Sequence, residues 1–203
     1  MKNLAILCSG FGSNLQAIIN SVKKGKLKAN IALVLSDKVD SYALVRAKKA
    51  GLLFVFASPD AFPDRESYDK YLVKKLKVSK IDYVLLAGFM RIVSPYFIDN
   101  FKNKIINIHP SLLPAFKGTK GIVDALNYGV KVTGVSVHFV NEQLDGGPII
   151  LQESIKVKDD DTAETLSVRV HKLEHKLYPQ ALKLLVAGNL TIKNRKVLIK
   201  TEK

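Results

Sequence analysis

Leu4-Ala5-Ile6-Leu7-Cys8-Ser9-Gly10-Phe11-Gly12-Ser13-Asn14 decides how this chain is read. Five apolar residues in a row, with no polar alternation, suit a strand buried on both faces. Two glycines follow. Leu15, Ile18, Ile19 and Val22 then recur at helical spacing. The order is strand, glycine turn, helix. Glycines permit a tight turn with amides pointing outward, and a helix start adds partial positive charge. Gly12, Ser13 and Asn14 therefore suit a phosphate. A dinucleotide-binding turn carries a third glycine where this chain has Leu15. A phosphate monoester fits better than a pyrophosphate; the competing reading is a plain turn with a helix cap.

Outward from this unit the alternation repeats. Residues 31–35, 54–56, 83–87 and 105–108 are short apolar strands. Residues 15–24, 42–50 and 65–78 are helices, with Gly51 a stop for the second. Strands apolar on both faces and spaced by helices predict a parallel sheet covered by helices. After Gly121 the rhythm changes. Residues 133–140 and 148–155 read as longer strands, joined through Leu144-Asp145-Gly146-Gly147. Residues 162–186 read as a long helix with Thr162 as N-cap, Gly188 as stop, and Pro179 kinking or dividing it. The expected fold is α/β: a Rossmann-like, mostly parallel sheet with helices on both faces, then a C-terminal antiparallel portion and a long helix.

Composition limits the classes. The 203 residues are 47% hydrophobic, which suits a globular chain with a sizeable core. No apolar run has the length of a membrane span. The N-terminal apolar run enters a glycine turn and reads as a strand, not a signal peptide. The lone Cys8 has no internal disulfide partner, which fits a reducing cytoplasm. The formal charge of +14 raises a nucleic-acid reading. The lysines are scattered over helix-like segments without interleaved aromatics, so solvated helix faces explain them better.

Three places carry chemistry. In Ile105-Ile106-Asn107-Ile108-His109-Pro110, Asn107 and His109 lie two apart on a strand and point to the same side. Pro110 and Pro114 end the strand there. In an open parallel sheet ligands bind at the carboxyl ends of the strands, so His109, the Gly12 turn and Gly88-Phe89-Met90-Arg91 share one edge. A buried core histidine is the alternative. Asp145 sits in an Asp-Gly turn and reads first as a hairpin residue. Beside a histidine, however, its carboxylate would orient the ring and favour its protonated form, a proton-handling pair. His138 reads as a half-buried strand residue and a weaker candidate. Arg65, Glu174 and His175 read as solvated helix faces, and Arg91 as either a carboxylate ligand or a surface charge.

Ser-Gly-x-Gly-Ser-Asn-Leu-Gln-Ala-Ile-Ile, Leu-Ala-Gly-Phe-Met-Arg-Ile, Asn-Ile-His-Pro-Ser-Leu-Leu-Pro and Val-His-Phe-Val-x-x-x-Leu-Asp-Gly-Gly-Pro-Ile-Ile occur in this order. Over about residues 3–190 the chain resembles the phosphoribosylglycinamide formyltransferases of purine biosynthesis. Asn107, His109 and Asp145 alone mark the wider formyl-folate superfamily; Gly-Ser-Asn-Leu-Gln from Gly12 narrows it. The resemblance implies transfer of a formyl group from 10-formyltetrahydrofolate, as co-substrate, to the amine of 5-phosphoribosylglycinamide, with no metal. By the same resemblance, Gly12, Ser13, Asn14 and Glu174 hold the ribotide. Arg65, Met90, Arg91, Ile92, Val93, Asn107 and the segment from Val140 through Leu144 hold the folate. Asn107, His109 and Asp145 serve the reaction. The readings of Arg65 and Glu174 as solvated faces then give way.

It further implies a single formyltransferase domain over 1–203, with a phosphate-binding half at about 1–100 and a folate and catalytic half at about 101–203. The partners are small molecules, not nucleic acid or membrane, and the chain is a monomer or homodimer. Some members carry histidines soon after Ser-Leu-Leu-Pro. Here Phe116-Lys117-Gly118-Thr119-Lys120-Gly121-Ile122 has none; this segment, with two glycines, reads as a lid that orders on binding, within a loop over 116–131. Two relatives compete. A formyltetrahydrofolate hydrolase would use water as acceptor and usually has an extra N-terminal domain. A transfer-RNA formyltransferase would need an RNA-binding extension, where only fifteen residues follow Gly188. An oxidoreductase is disfavoured by Leu15.

Overall fold

The Gly12 turn stands between β1 (Lys2–Cys8) and α1 (Ser13–Lys23), as the opening stretch predicts. This computed structural model describes residues 1–200. The chain continues through β2 (Ala29–Ser36), α2 (Tyr42–Lys49), β3 (Phe54–Phe56), α3 (Arg65–Val78), β4 (Tyr83–Leu86), α4 (Pro95–Asn100) and β5 (Ile105–His109). It ends with α5 (Gly121–Tyr128), β6 (Val132–Phe139), β7 (Ile149–Lys156), α6 (Ala163–Val186) and the hairpin β8 (Leu190–Lys193) and β9 (Lys196–Ile199).

Seven strands form one sheet in the order β3-β2-β1-β4-β5-β6-β7. β3, β2, β1, β4 and β5 are parallel; β5–β6 and β6–β7 are antiparallel. The order reverses between β1 and β4, and such a switch point opens a crevice at the carboxyl edge. Leu4, Ile6 and Cys8 face a core shared with Leu15 and Ile18 of α1 and Leu166, Val170 and Leu177 of α6. Ala5 and Leu7 face the other core, with Tyr68 and Leu72 of α3 and Phe97 of α4. Alternate residues of one strand thus feed two cores, the reason its sequence shows no polar alternation. Burial pushes the Cys8 thiol up to about 12, helped by Asp37, so this cysteine is an inert core residue.

The α/β architecture with its antiparallel end agrees with the expectation, and two local readings are corrected. Pro179 does not divide the long helix, which runs unbroken through it. A proline inside a helix costs about 3 kcal/mol. Leu173, Leu177, Ala181, Leu182 and Leu185 bury a continuous stripe across it, which outweighs that cost. Thr162 caps the helix as expected, and Thr165 returns a side-chain bond to the cap. The stretch 116–131 is not all loop, because α5 occupies its middle, burying Ile122 and Ala125. Leu190–Lys193 and Lys196–Ile199 pair as the β8–β9 hairpin. Among the described residues no helix is long and apolar enough to cross a membrane.

Candidate active site

Asn107 and His109 do point to one side of β5, and both meet Asp145. Asn107 Nδ2 lies 3.4 Å from Asp145 Oδ1, and His109 Nδ1 lies 3.5 Å from Oδ2. Asp145 arrives from the turn between β6 and β7. Its φ is +46°, a left-handed conformation that Asp tolerates better than most residues. A Cβ on Gly147 would overlap the Phe139 carbonyl, so only glycine lets the turn pass so close to β6.

The surroundings are buried and polar. His109 is 4% exposed. Its Nε2 donates to the Phe116 carbonyl at 2.8 Å while Nδ1 faces the carboxylate. Both ring nitrogens therefore face acceptors. Asp145 Oδ2 also accepts the Gly118 amide at 2.8 Å. Burial works to raise the Asp145 carboxyl. His138, the Gly118 amide and the charge of His109 outweigh it and hold the group below its usual range. Asp145 is thus an anion at neutral pH.

His138 belongs to this cluster more fully than its sequence reading allowed. It is buried; its Nδ1 donates to the Phe139 carbonyl at 2.8 Å, and its Nε2 lies 3.2 Å from Asn107 Nδ2. The register places His138 opposite Asn107 across β5–β6. Antiparallel pairing of these strands was the missing signal, since it faces residue against residue. The Gly118 and Phe116 backbone contacts had no signal in side-chain chemistry.

A cavity of about 200 Å³ opens over the cluster. Met90, Arg91, Ile92, Val93, Val140 and Leu144 line it beside Asn107, His109 and Asp145. Met90, Ile92 and Leu144 are large exposed apolar side chains, which suits a flat, partly apolar ligand. Arg91 stacks its guanidinium over the Tyr68 ring at 5.3 Å. Arg65 begins α3, exposed and outside the cavity lining, so the structure does not bring it to the cluster.

The second corner is the Gly12 turn. Gly12 has φ +71°, and a Cβ there would lie 2.7 Å from the Ala43 Cβ. Asn14 is buried and donates its amide to Glu174 Oε2 at 2.9 Å. Asn14 Oδ1 is buried without a protein partner. Glu174 is 4% exposed, and the same oxygen accepts His171 Nδ1 at 3.0 Å. Glu174 is therefore no solvated helix residue; α6 carries it to the glycine turn. The Ser9 hydroxyl accepts the Met90 amide at 2.9 Å and joins the two loops. Tyr178, also on α6, places its hydroxyl 3.1 and 3.0 Å from the Leu86 and Ile106 carbonyls, pinning this helix beneath both.

An open α/β sheet with a glycine turn and an Asn-His-Asp cluster on one edge is an arrangement suited to group transfer. Residues 2–182 match the formyl transferase family, and the chain belongs to that family. It is 42% identical over 188 residues to phosphoribosylglycinamide formyltransferase of Escherichia coli K12, covering 93% of this chain and 89% of the relative. It is 38% identical over 189 residues to the protein of that name from Bacillus subtilis 168, covering 93% and 97%. The crystal structure of glycinamide ribonucleotide transformylase 1 from Symbiobacterium toebii superposes with a TM-score of 0.97 at 44% identity, over 98% of this chain and 94% of that one.

Proposed function

We propose that this chain transfers the formyl group of 10-formyltetrahydrofolate to the amine of 5-phosphoribosylglycinamide in purine biosynthesis. The observation that carries the reading is the meeting of Asn107, His109 and Asp145 at the end of β5, one loop away from the Gly12–Asn14 turn with its buried Glu174. Whole-length similarity to proteins named for that reaction supports it.

In this reading the ribotide phosphate rests on the amides of Gly12, Ser13 and Asn14, and Glu174 accepts hydroxyls of the ribose. The pteridine end of the folate lies against Met90, Ile92, Val93, Val140 and Leu144; Arg91 and, at the start of α3 beyond the cavity, Arg65 serve its acidic end. The amine attacks the formyl carbon, a carbon–nitrogen bond forms, and the carbonyl oxygen becomes an oxyanion. Asn107 and protonated His109 donate to that oxygen; such donors supply about 3 kcal/mol each. The bond to the folate nitrogen then breaks, and one proton passes from the amine to that nitrogen. Asp145 accepts and returns it, directly or through water, while holding His109 in place. The reaction uses no metal in this scheme. His109 Nε2 must first leave the Phe116 carbonyl, so segment 116–120 swings away as the substrate enters.

The test is incubation with 10-formyltetrahydrofolate, with and without phosphoribosylglycinamide, following free tetrahydrofolate. Ribotide-dependent release is expected. Equal release without ribotide would make the chain a hydrolase, and no release would sink the proposal.

A further inference from the structure

The carbonyls of the glycine turn all point away from the proposed phosphate. Gly10 O accepts from the Ser41 hydroxyl at 2.8 Å and from the Ala43 amide at 3.1 Å. Phe11 O accepts from Arg46 Nε at 2.9 Å. Gly12 O accepts from Gln16 within the helix start at 3.0 Å. The start of α2 therefore backs the turn, and each carbonyl it draws away leaves the neighbouring amides facing the crevice.

Arg46 is the side chain built most elaborately into this backing. Its Nη1 donates to Gln16 Oε1 at 3.1 Å. Its guanidinium lies 4.5 Å from the Phe11 ring centre and 4.8 Å from that of Tyr42. The two rings stack on each other at 5.2 Å. Phe11 is 66% and Tyr42 40% exposed, and the cation over both rings adds to the contact they make with each other. One planar fork thus grips the turn backbone, the first turn of α1 and the aromatic side chain at the tip.

We propose that Arg46 is a positioning residue for the phosphate turn, fixing its Phe11–Gly12 backbone so that the amides of Gly12, Ser13 and Asn14 are set for the ribotide before it binds. The inference rests on the ribotide reading above. It does not require Arg46 to touch the substrate. Preorganisation of this kind acts on affinity, not on the chemical step.

Steady-state kinetics of Arg46→Ala and Arg46→Lys test it, with inorganic phosphate as a competitive probe of the turn. The expected result is a rise of about tenfold in ribotide KM and in the phosphate Ki for both variants, because lysine keeps the charge but loses the fork. The kcat and the folate KM should stay within twofold of the parent. A parent-like KM and Ki in Arg46→Lys would mean that charge alone matters and would overturn the proposal. A parallel fall in kcat with both KM values raised, or failure of both variants to fold, would mark a general structural role and overturn it equally. If the parent shows no ribotide-dependent turnover, the proposed function falls first; if the parent turns over normally and Arg46→Ala matches it, only this inference falls.

Discussion

The two corners of the crevice are built from different material. The Gly12 corner is mostly backbone: a turn with Gly12 at φ +71°, a helix start, and carbonyls drawn back by α2. The β5 corner is mostly side chains, with Asn107, His109, His138 and Asp145 delivered by three segments. Backbone amides are fixed by the fold and hold a constant charge, which suits binding a phosphate. Side chains titrate and exchange protons, which suits the reacting centre. If this division holds, variants at the two corners should separate into kcat and KM effects.

The largest effect is expected at the side-chain corner. His109→Ala and Asp145→Asn should each lower kcat by about 10³-fold, the combined scale of an oxyanion donor and a proton-transfer group. Ribotide affinity, measured by calorimetry on the same variants, should stay within a few fold. Full activity in Asp145→Asn would reduce Asp145 to a turn residue and end the contrast between the corners. A matching loss of ribotide affinity would blur it.

Next comes the backbone corner. Gly12→Ala forces a side chain into a left-handed conformation and against Ala43 at 2.7 Å. Strain of this type costs about 1–3 kcal/mol, so the melting temperature should drop by several degrees. The ribotide KM should rise while the kcat extrapolated to saturation survives. A variant with parent stability and parent KM would show that the turn geometry is not demanding.

The same contrast explains what could be read from the sequence. The Gly12 corner is local: strand, glycines and helix start lie within a dozen residues, so periodicity and turn chemistry reveal it together. Glu174 is the exception. Its burial depends on α6 crossing under the turn, and mid-helix it looks solvated. The β5 corner is non-local. Asn107 and His109 announced themselves as polar residues on an apolar strand; Asp145 by spacing alone reads as a hairpin residue and joins them only through the family resemblance, and His138 reads as a strand filler. Only the antiparallel register of β5 with β6, which spacing does not encode, brings them together. α5 was hidden for another reason: it is eight residues long and begins at a glycine with no capping side chain. Arg46 shows no signal in sequence, because its partners, a backbone carbonyl, the Gln16 side chain and two exposed rings, reach it only through the packing of α2 behind the turn.

The smallest expected effect concerns the support behind Glu174, where the backbone corner borrows a titrating side chain. The hydrogen bond to Glu174 raises the His171 imidazole above its ordinary value of 6.5, against the effect of burial. A folded-state value above the unfolded one means the folded chain holds the proton more tightly. The stabilisation is therefore complete below about pH 6.5 and fades as pH climbs past the folded value. His175, one residue beyond Glu174, is lowered by burial and works in the opposite sense, losing stability as pH falls. His171 is half exposed, so solvent screens the pair and its worth stays below about 1 kcal/mol. His171→Gln should therefore lower the melting temperature by about 2 °C at pH 6 and leave it unchanged at pH 9. Melts of parent and variant at both pH values decide this. An equal loss at the two would mean that His171 supports Glu174 by packing and not by charge, and the backbone corner would then carry no proton-dependent part.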